Sequence, residues 1–185
     1  RPELPPAVQP DWRGVRVYEV QPEGPTVMVE DAPESVSPSD PTSLENFLAW
    51  GMKEYPAEHY AVVLGGHGSR KGLLSDSKGD VMPFEKVSES LQRAAAKSGE
   101  DIDVVLFDSC STASPETAEK MRGATDFLVA APFKTRGQGW SEKATMNFLK
   151  ENPKATPLDL TQSFLSGEHA AVKSPVFYDL RAFHQ

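Results

Sequence analysis

Three short apolar runs constrain the fold of this chain more than any other feature. They are Tyr60–Leu64 (YAVVL), Ile102–Phe107 (IDVVLF) and Phe127–Ala131 (FLVAA), each rich in β-branched or aromatic residues with few polar positions. A strand that is apolar on both faces must be covered on both faces, as happens in parallel sheets sandwiched by helices. The segments between these runs carry helical spacing. Phe84–Lys97 sets Phe84, Val87, Leu91 and Ala94 on one stripe, and Ser114-Pro115 supplies a capping residue followed by a first-turn proline for a helix reaching about Arg122. Further helices are expected at about Glu142–Lys150 and Leu158–Val172, and a last strand near Val176–Leu180. This alternation predicts an α/β fold with a mostly parallel sheet between two helical layers.

The first part of the chain is composed differently, holding nine of the 16 prolines within its first 41 residues. Residues 1–13 read as an extended lead-in. Gly14–Val20 and Thr26–Glu30 then alternate apolar and polar residues around Pro22-Glu23-Gly24-Pro25, a hairpin signal. Asp31–Pro41 reads as a polar loop. Thr42 or Ser43 is expected to cap a helix that places Leu44, Phe47, Leu48 and Met52 on one face. The reading is one domain over residues 1–185, with its folded core over 14–180.

Composition removes several functions. Acidic residues number 27 against 19 basic ones, for a net charge of −8, which argues against a general nucleic-acid or anionic-membrane binder. A single cysteine excludes an internal disulfide framework and any zinc site built on two thiolates. No apolar run approaches the roughly 20 residues of a membrane-spanning helix, and no signal peptide opens the chain. One thiol and a low pI fit either cytoplasm or secretion. The first residue is Arg1 rather than methionine, which reads as a processed product, a released fragment or an excised piece.

In sheets of this kind, ligands bind beyond the carboxyl ends of the strands. Two successive strand ends carry His67, set between glycines in Gly65-Gly66-His67-Gly68, and Cys110, the only thiol. A thiol nucleophile needs a neighbouring base or positive charge to reach its thiolate form, and a histidine on the next strand end can supply it. The amides of Gly68 and Cys110 are candidates for an oxyanion hole. Asp108 lies two residues before Cys110, so on a strand its side chain shares that face, where an acidic pocket for a basic side chain fits. The blander alternatives are a turn histidine, a buried cysteine and a turn aspartate. A phosphate loop over Gly65–Gly72 is disfavoured, since the stretch matches neither G-x-G-x-x-G nor G-x-x-x-x-G-K-[ST].

The ordered set YAVVLGGHGS, VVLFDSCSTASPE and FLVAAP leading to GQGW resembles the clostripain family of cysteine peptidases, within the caspase–hemoglobinase clan. DPTSLENFLAWGMKEYPAEHY and SPVFYDL extend the resemblance over about Gly14 to Leu180. It implies a caspase-like three-layer sandwich and a bacterial endopeptidase cleaving protein or peptide substrates after Arg or Lys. Cys110 would be the nucleophile and His67 the general acid/base. Asp108 would form the floor of the specificity pocket, and Gly139-Trp140 would border the cleft, with a core tryptophan after a turn as the alternative.

The resemblance also implies features that the chain itself does not spell out. The family's first strand–helix–strand unit would precede Arg1, so an N-terminal fragment of the same precursor is an expected partner. Self-cleavage after a basic residue is expected at Arg70, Lys71 or Lys78. The chemistry needs no metal; calcium, which some members require, would draw on Asp76, Asp80, Glu100, Asp101 and Asp103. Departures from the family pattern are Arg70-Lys71 where Gly-Trp is common, and Thr112 where a methionine is common. The rival reading is a catalytically silent module of the same fold that binds a peptide or signalling partner.

Overall fold

The computed structural model describes residues 15–21, 27–32, 37–76, 79–134, 140–166 and 175–184. The expected lead-in and the Pro22–Pro25 turn lie outside the described residues. The hairpin is present as β1 (Val15–Glu19) and β2 (Val27–Ala32), antiparallel with a bulge between Val17 and Tyr18. Residues expected in the following polar loop, Asp31 and Ala32, thus belong to β2. Helix α1 (Pro41–Glu54) starts two or three residues earlier than the sequence suggested. Asp40 is its cap, because its carboxylate accepts the Thr42 N–H at 3.0 Å and the Ser43 hydroxyl at 3.0 Å, while Pro41 fills the first turn.

Strand β3 (Ala61–Gly65) leads through a small antiparallel pair, β4 (Gly72–Leu73) and β5 (Met82–Pro83), into α2 (Phe84–Ser98). Two-residue strands leave no alternation to read, so this pair was invisible in the sequence. Its purpose is clear from burial: Leu73 and Met82 are fully enclosed. Strand β6 (Val104–Asp108), α3 (Pro115–Met121, capped by Ser114) and β7 (Phe127–Ala130) follow. β6 begins two residues later than expected, and just before it the Asp103 carboxylate accepts the Tyr60 N–H at 2.8 Å. The chain continues with α4 (Glu142–Glu151), α5 (Pro157–Leu165), β8 (Val176–Asp179) and a 3₁₀ turn over Leu180–His184. A reciprocal capping box between Thr156 and Asp159 starts α5. α5 ends at Leu165, short of the expected Val172, because Ser166 turns to extended backbone (φ −72°, ψ 147°); residues 167–172 lie outside the described residues.

The main sheet runs in the order β3-β6-β7-β8, with β3, β6 and β7 parallel and β8 antiparallel to β7. Alternation along the strands makes two cores. On one face Leu64, Val105, Phe107, Leu128 and Ala130 pack with residues of α1, α2 and α3, among them Leu48, Leu91 and Met121. On the other, Val104, Leu106, Phe127 and Val129 pack with Trp140 and with Leu160 and Phe164 of α5. Buried Glu45 links α1 to α2 by pairing with both Arg93 and Lys97, so its charge is not left alone in the interior.

The second helical layer stops short of β3. Ala61, Val63 and Gly65 point to the same face as Val104, Leu106 and Asp108 but are exposed, Val63 by 50%. Beside this outer strand runs an apolar groove of about 660 Å³, lined among others by Val17, Phe47, Trp50, Val63 and Leu74.

Phe107 is the pivot of the first core, fully buried and stacked on Phe84 at 5.7 Å between ring centroids. Phe107→Ala is expected to cost about 3–5 kcal/mol, the usual range for an enclosed aromatic. Urea unfolding should show it as a lower midpoint at an unchanged slope.

Candidate active site

The relation of His67 to Cys110 follows from backbone register. β3 pairs with β6 so that Gly65 stands opposite Asp108. His67 follows two residues past the end of β3 and Cys110 two residues past the end of β6, so both leave the same edge of this strand pair. Two bonds join the chain just past the strand ends: the Gly66 N–H donates to the Asp108 carbonyl at 3.1 Å, and the Ser109 hydroxyl donates to the Gly66 carbonyl at 2.8 Å. Gly66 takes φ +147°, a value that few side-chain-bearing residues adopt.

Gly68 is held against the other turn. A methyl group there would stand 2.8 Å from Ser109 Cβ and 3.2 Å from Thr112 Cγ2, closer than side chains tolerate. Thr112, fully buried, thus fills the slot facing Gly68. Past the thiol, Ser111 adopts φ +56°, a strained value for a non-glycine residue, and turns the chain sharply. The turn is pinned to the exit of β7: Ser111 N–H donates to the Phe133 carbonyl at 3.1 Å, and the amides of Thr112 and Ala113 both reach the Ala131 carbonyl. Cys110 is half-buried and His67 is exposed, so both border open space.

Asp108 lies on the face of β6 that carries Val104 and Leu106, toward the α5 side. Its carboxylate accepts the Trp140 backbone N–H at 3.3 Å. Burial pushes its pKa above the ordinary carboxylate value; the Trp140 hydrogen bond opposes this, and the nearby Glu142 charge adds to it. Across the strand gap stands Gly65, whose absent side chain leaves Asp108 Oδ2 about 4.0 Å from where a Cβ would be. Space beside the carboxylate is therefore open on the β3 side.

Trp140 reaches this region through its backbone alone. Its indole is 4% exposed, packs edge-on against Phe164 at 5.7 Å and belongs to the second core, the alternative weighed for it in the sequence. Gly139 and Lys78 lie outside the described residues. Arg70 and Lys71 are exposed at the tip of a tight turn closed by reciprocal hydrogen bonds between Ser69 and Gly72.

Two of the acidic residues weighed for calcium, Asp76 and Asp103, have protein partners. Asp76 accepts from the Ser37 and Ser39 hydroxyls and from the Asp80 N–H, and Asp103 accepts from Tyr60 and pairs with His59. Among the described residues, no three His, Cys, Asp or Glu side chains converge as a ligand set.

Sequence reasoning overlooked Ser109, whose hydroxyl ties the two strand ends, and the strained Ser111. Position was the only signal for Ser109: lying between Asp108 and Cys110, it had to face the opposite side of the strand.

With this geometry in place, known proteins can be compared. Solved structures share the fold. The chain superimposes with a TM-score of 0.66 on a secreted C11 cysteine protease from Bacteroides thetaiotaomicron in complex with an irreversible peptide inhibitor, at 17% identity over 90% of this chain and 52% of the other. An inactive zymogen C11 protease from Parabacteroides distasonis gives 0.57 at 19% identity, over 85% of this chain and 41% of the other. This chain therefore spans about half the length of these structures or less. A comparison with curated proteins gives no match. The clostripain family model matches residues 16–179, nearly the whole chain, and the chain belongs to that family.

Proposed function

We propose that this chain carries the Cys–His site of a cysteine endopeptidase that cleaves protein substrates after Arg or Lys. One observation supports the reading: β3 and β6 pair in parallel with Gly65 opposite Asp108, and His67 and the half-buried Cys110 each follow two residues past the carboxyl ends of these strands. Membership in the clostripain family supports the same chemistry.

In the proposed reaction the Cys110 thiolate adds to the scissile carbonyl, and the amides of Gly68 and Cys110 hold the resulting oxyanion. The C–N bond then breaks as His67 gives a proton to the departing amine, leaving a thioester on Cys110. His67 next takes a proton from water, whose oxygen adds to the thioester carbonyl. Collapse releases the carboxylic acid and returns the thiolate. Cys110→Ala and His67→Ala are each expected to abolish hydrolysis of an Arg-terminated fluorogenic peptide. Residual activity near wild type in either variant would sink the dyad.

Asp108 is proposed as the acidic floor for the basic side chain. Its burial and the open space beside Gly65 support this, since a half-desolvated carboxylate gains more from a cationic guest than an exposed one does. Asp108→Asn is expected to lower kcat/KM for Arg and Lys peptides about ten- to hundredfold, matching roughly 1.5–3 kcal/mol for a hydrogen bond to a charged group. The sign of the pH effect follows from the raised pKa. The folded protein holds this proton more tightly than the unfolded chain does, so the group's contribution to stability falls as pH rises from the ordinary carboxylate value to the raised one. Over that window the urea midpoint of wild type should fall relative to Asp108→Asn. Cleavage after Arg should be lost on the acid side through the same window, and a wild-type pH profile matching that of the variant would contradict the assignment.

Gly68→Ala tests the oxyanion turn. The added methyl must push the His67 loop away from Ser109 and Thr112. A shift of about 1 Å in a reacting group costs on the order of a hundredfold in rate. The variant should stay folded by circular dichroism while kcat drops, and unchanged kcat would count against Gly68 as an oxyanion donor.

Self-cleavage is proposed for the basic residues following His67. Arg70 and Lys71 are exposed, but the closed Ser69–Gly72 turn must open before either peptide bond could lie extended in a cleft. The edge of β3, which pairs with no further strand among the described residues and holds no charged residue or proline in Ala61–Gly65, is the proposed seat of an added strand from the same precursor.

A further inference from the structure

Single exposed apolar side chains are ordinary on protein surfaces, so position must distinguish one that matters. Among the large exposed ones of the described residues, Phe47 and Val63 belong to the groove beside β3, Val20 follows β1, Tyr55 ends α1, and Met146, Leu149 and Leu165 lie on α4 and α5, none of them bonded to the turn after Cys110. Phe133 stands apart. Its ring is 68% exposed, yet its carbonyl is fixed at 3.1 Å to the amide of Ser111, the residue following Cys110. The neighbouring Ala131 carbonyl accepts two further amides of the same turn. The backbone under Phe133 is thus tied to the proposed nucleophile, while its ring is left in solvent.

Sheet order decides which part of a substrate would meet that ring. β6 lies between β3 and β7, so His67 and Phe133 flank Cys110 on opposite sides. In the proposed reaction His67 protonates the departing amine, so the departing half of the peptide lies toward β3. The half that becomes the thioester must then extend toward the exit of β7, where Phe133 stands. In an extended peptide, successive side chains point to opposite sides. If the basic side chain descends toward Asp108, the side chain before it points outward to the rim.

We infer that Phe133 is a specificity-determining residue of this site, forming an apolar wall for the side chain that precedes the basic residue in the substrate. The inference rests on the peptidase reading above. It predicts a preference for Leu, Phe or Val at that position over Gly or Asp.

The test compares the full-length protein and its Phe133→Ala and Phe133→Leu variants on matched fluorogenic peptides ending in Leu-Arg and Gly-Arg. Phe133→Ala should lower kcat/KM on the Leu-Arg peptide about tenfold, the scale of a modest change in an apolar pocket, and leave the Gly-Arg peptide unchanged. Phe133→Leu should restore most of the loss. Because the ring is exposed and the tethering carbonyl is main chain, the thermal midpoint should not move. Equal losses on both peptides would assign Phe133 a structural role and overturn the inference, as would no loss on either. If wild type cleaves no basic peptide in a Cys110-dependent way, the peptidase reading falls and this inference with it; cleavage with an unaltered Phe133→Ala preference overturns the inference alone.

Discussion

The parallel pairing of β3 with β6 is the constraint on which the rest depends. These strands meet in one register, Ala61 with Val104 through Gly65 with Asp108, and a shift of one residue would turn every side chain of β3 to the wrong face. Leu64 would leave the first core, and Val63 would be forced into it. Past the strand ends Gly66 bonds with Asp108 and Ser109, which holds residues up to 43 positions apart in the chain together there. Packing of the core therefore also fixes the two strand ends that His67 and Cys110 follow.

Around that alignment, burial differs sharply between the two sides of β6. The α5 side is closed by Trp140 and Phe164, while the same face of β3 is bare. Asp108 sits at the boundary. Its carboxylate is desolvated enough to hold its proton more tightly than usual, yet it has a main-chain donor on one flank and a glycine on the other. A charge held in this way is costly without a partner. The strained Ser111 adds a second cost, offset by three amide bonds that fasten the turn to residues 131 and 133.

Much of the fold was legible in the residues. Phe127–Ala131 reads as a strand because it is apolar throughout, and the structure places β7 over Phe127–Ala130. Ser114-Pro115 caps and starts α3, and the Phe84, Val87, Leu91 and Ala94 stripe is the buried face of α2. What escaped notice was either too short or dependent on neighbours distant in sequence. β4 and β5 have two residues each, too few for any period to show. The cap of α1 was a local misreading: Asp40, rather than Thr42 or Ser43, fills it, with Pro41 suited to the first turn behind it.

The sequence by itself determined the layered α/β plan and the placing of His67 and Cys110 just after strand ends, because apolar runs and their glycine or polar stops are local properties. Only the tertiary structure decided that these two strands are neighbours in a register that pairs those ends. It also decided that Trp140 serves Asp108 through its backbone while its indole fills the core, and that Phe133 is anchored beside Ser111. These are relations between segments far apart in the chain, and no local pattern encodes them. They are fixed when two cores, one on each face of the sheet, are filled at the same time.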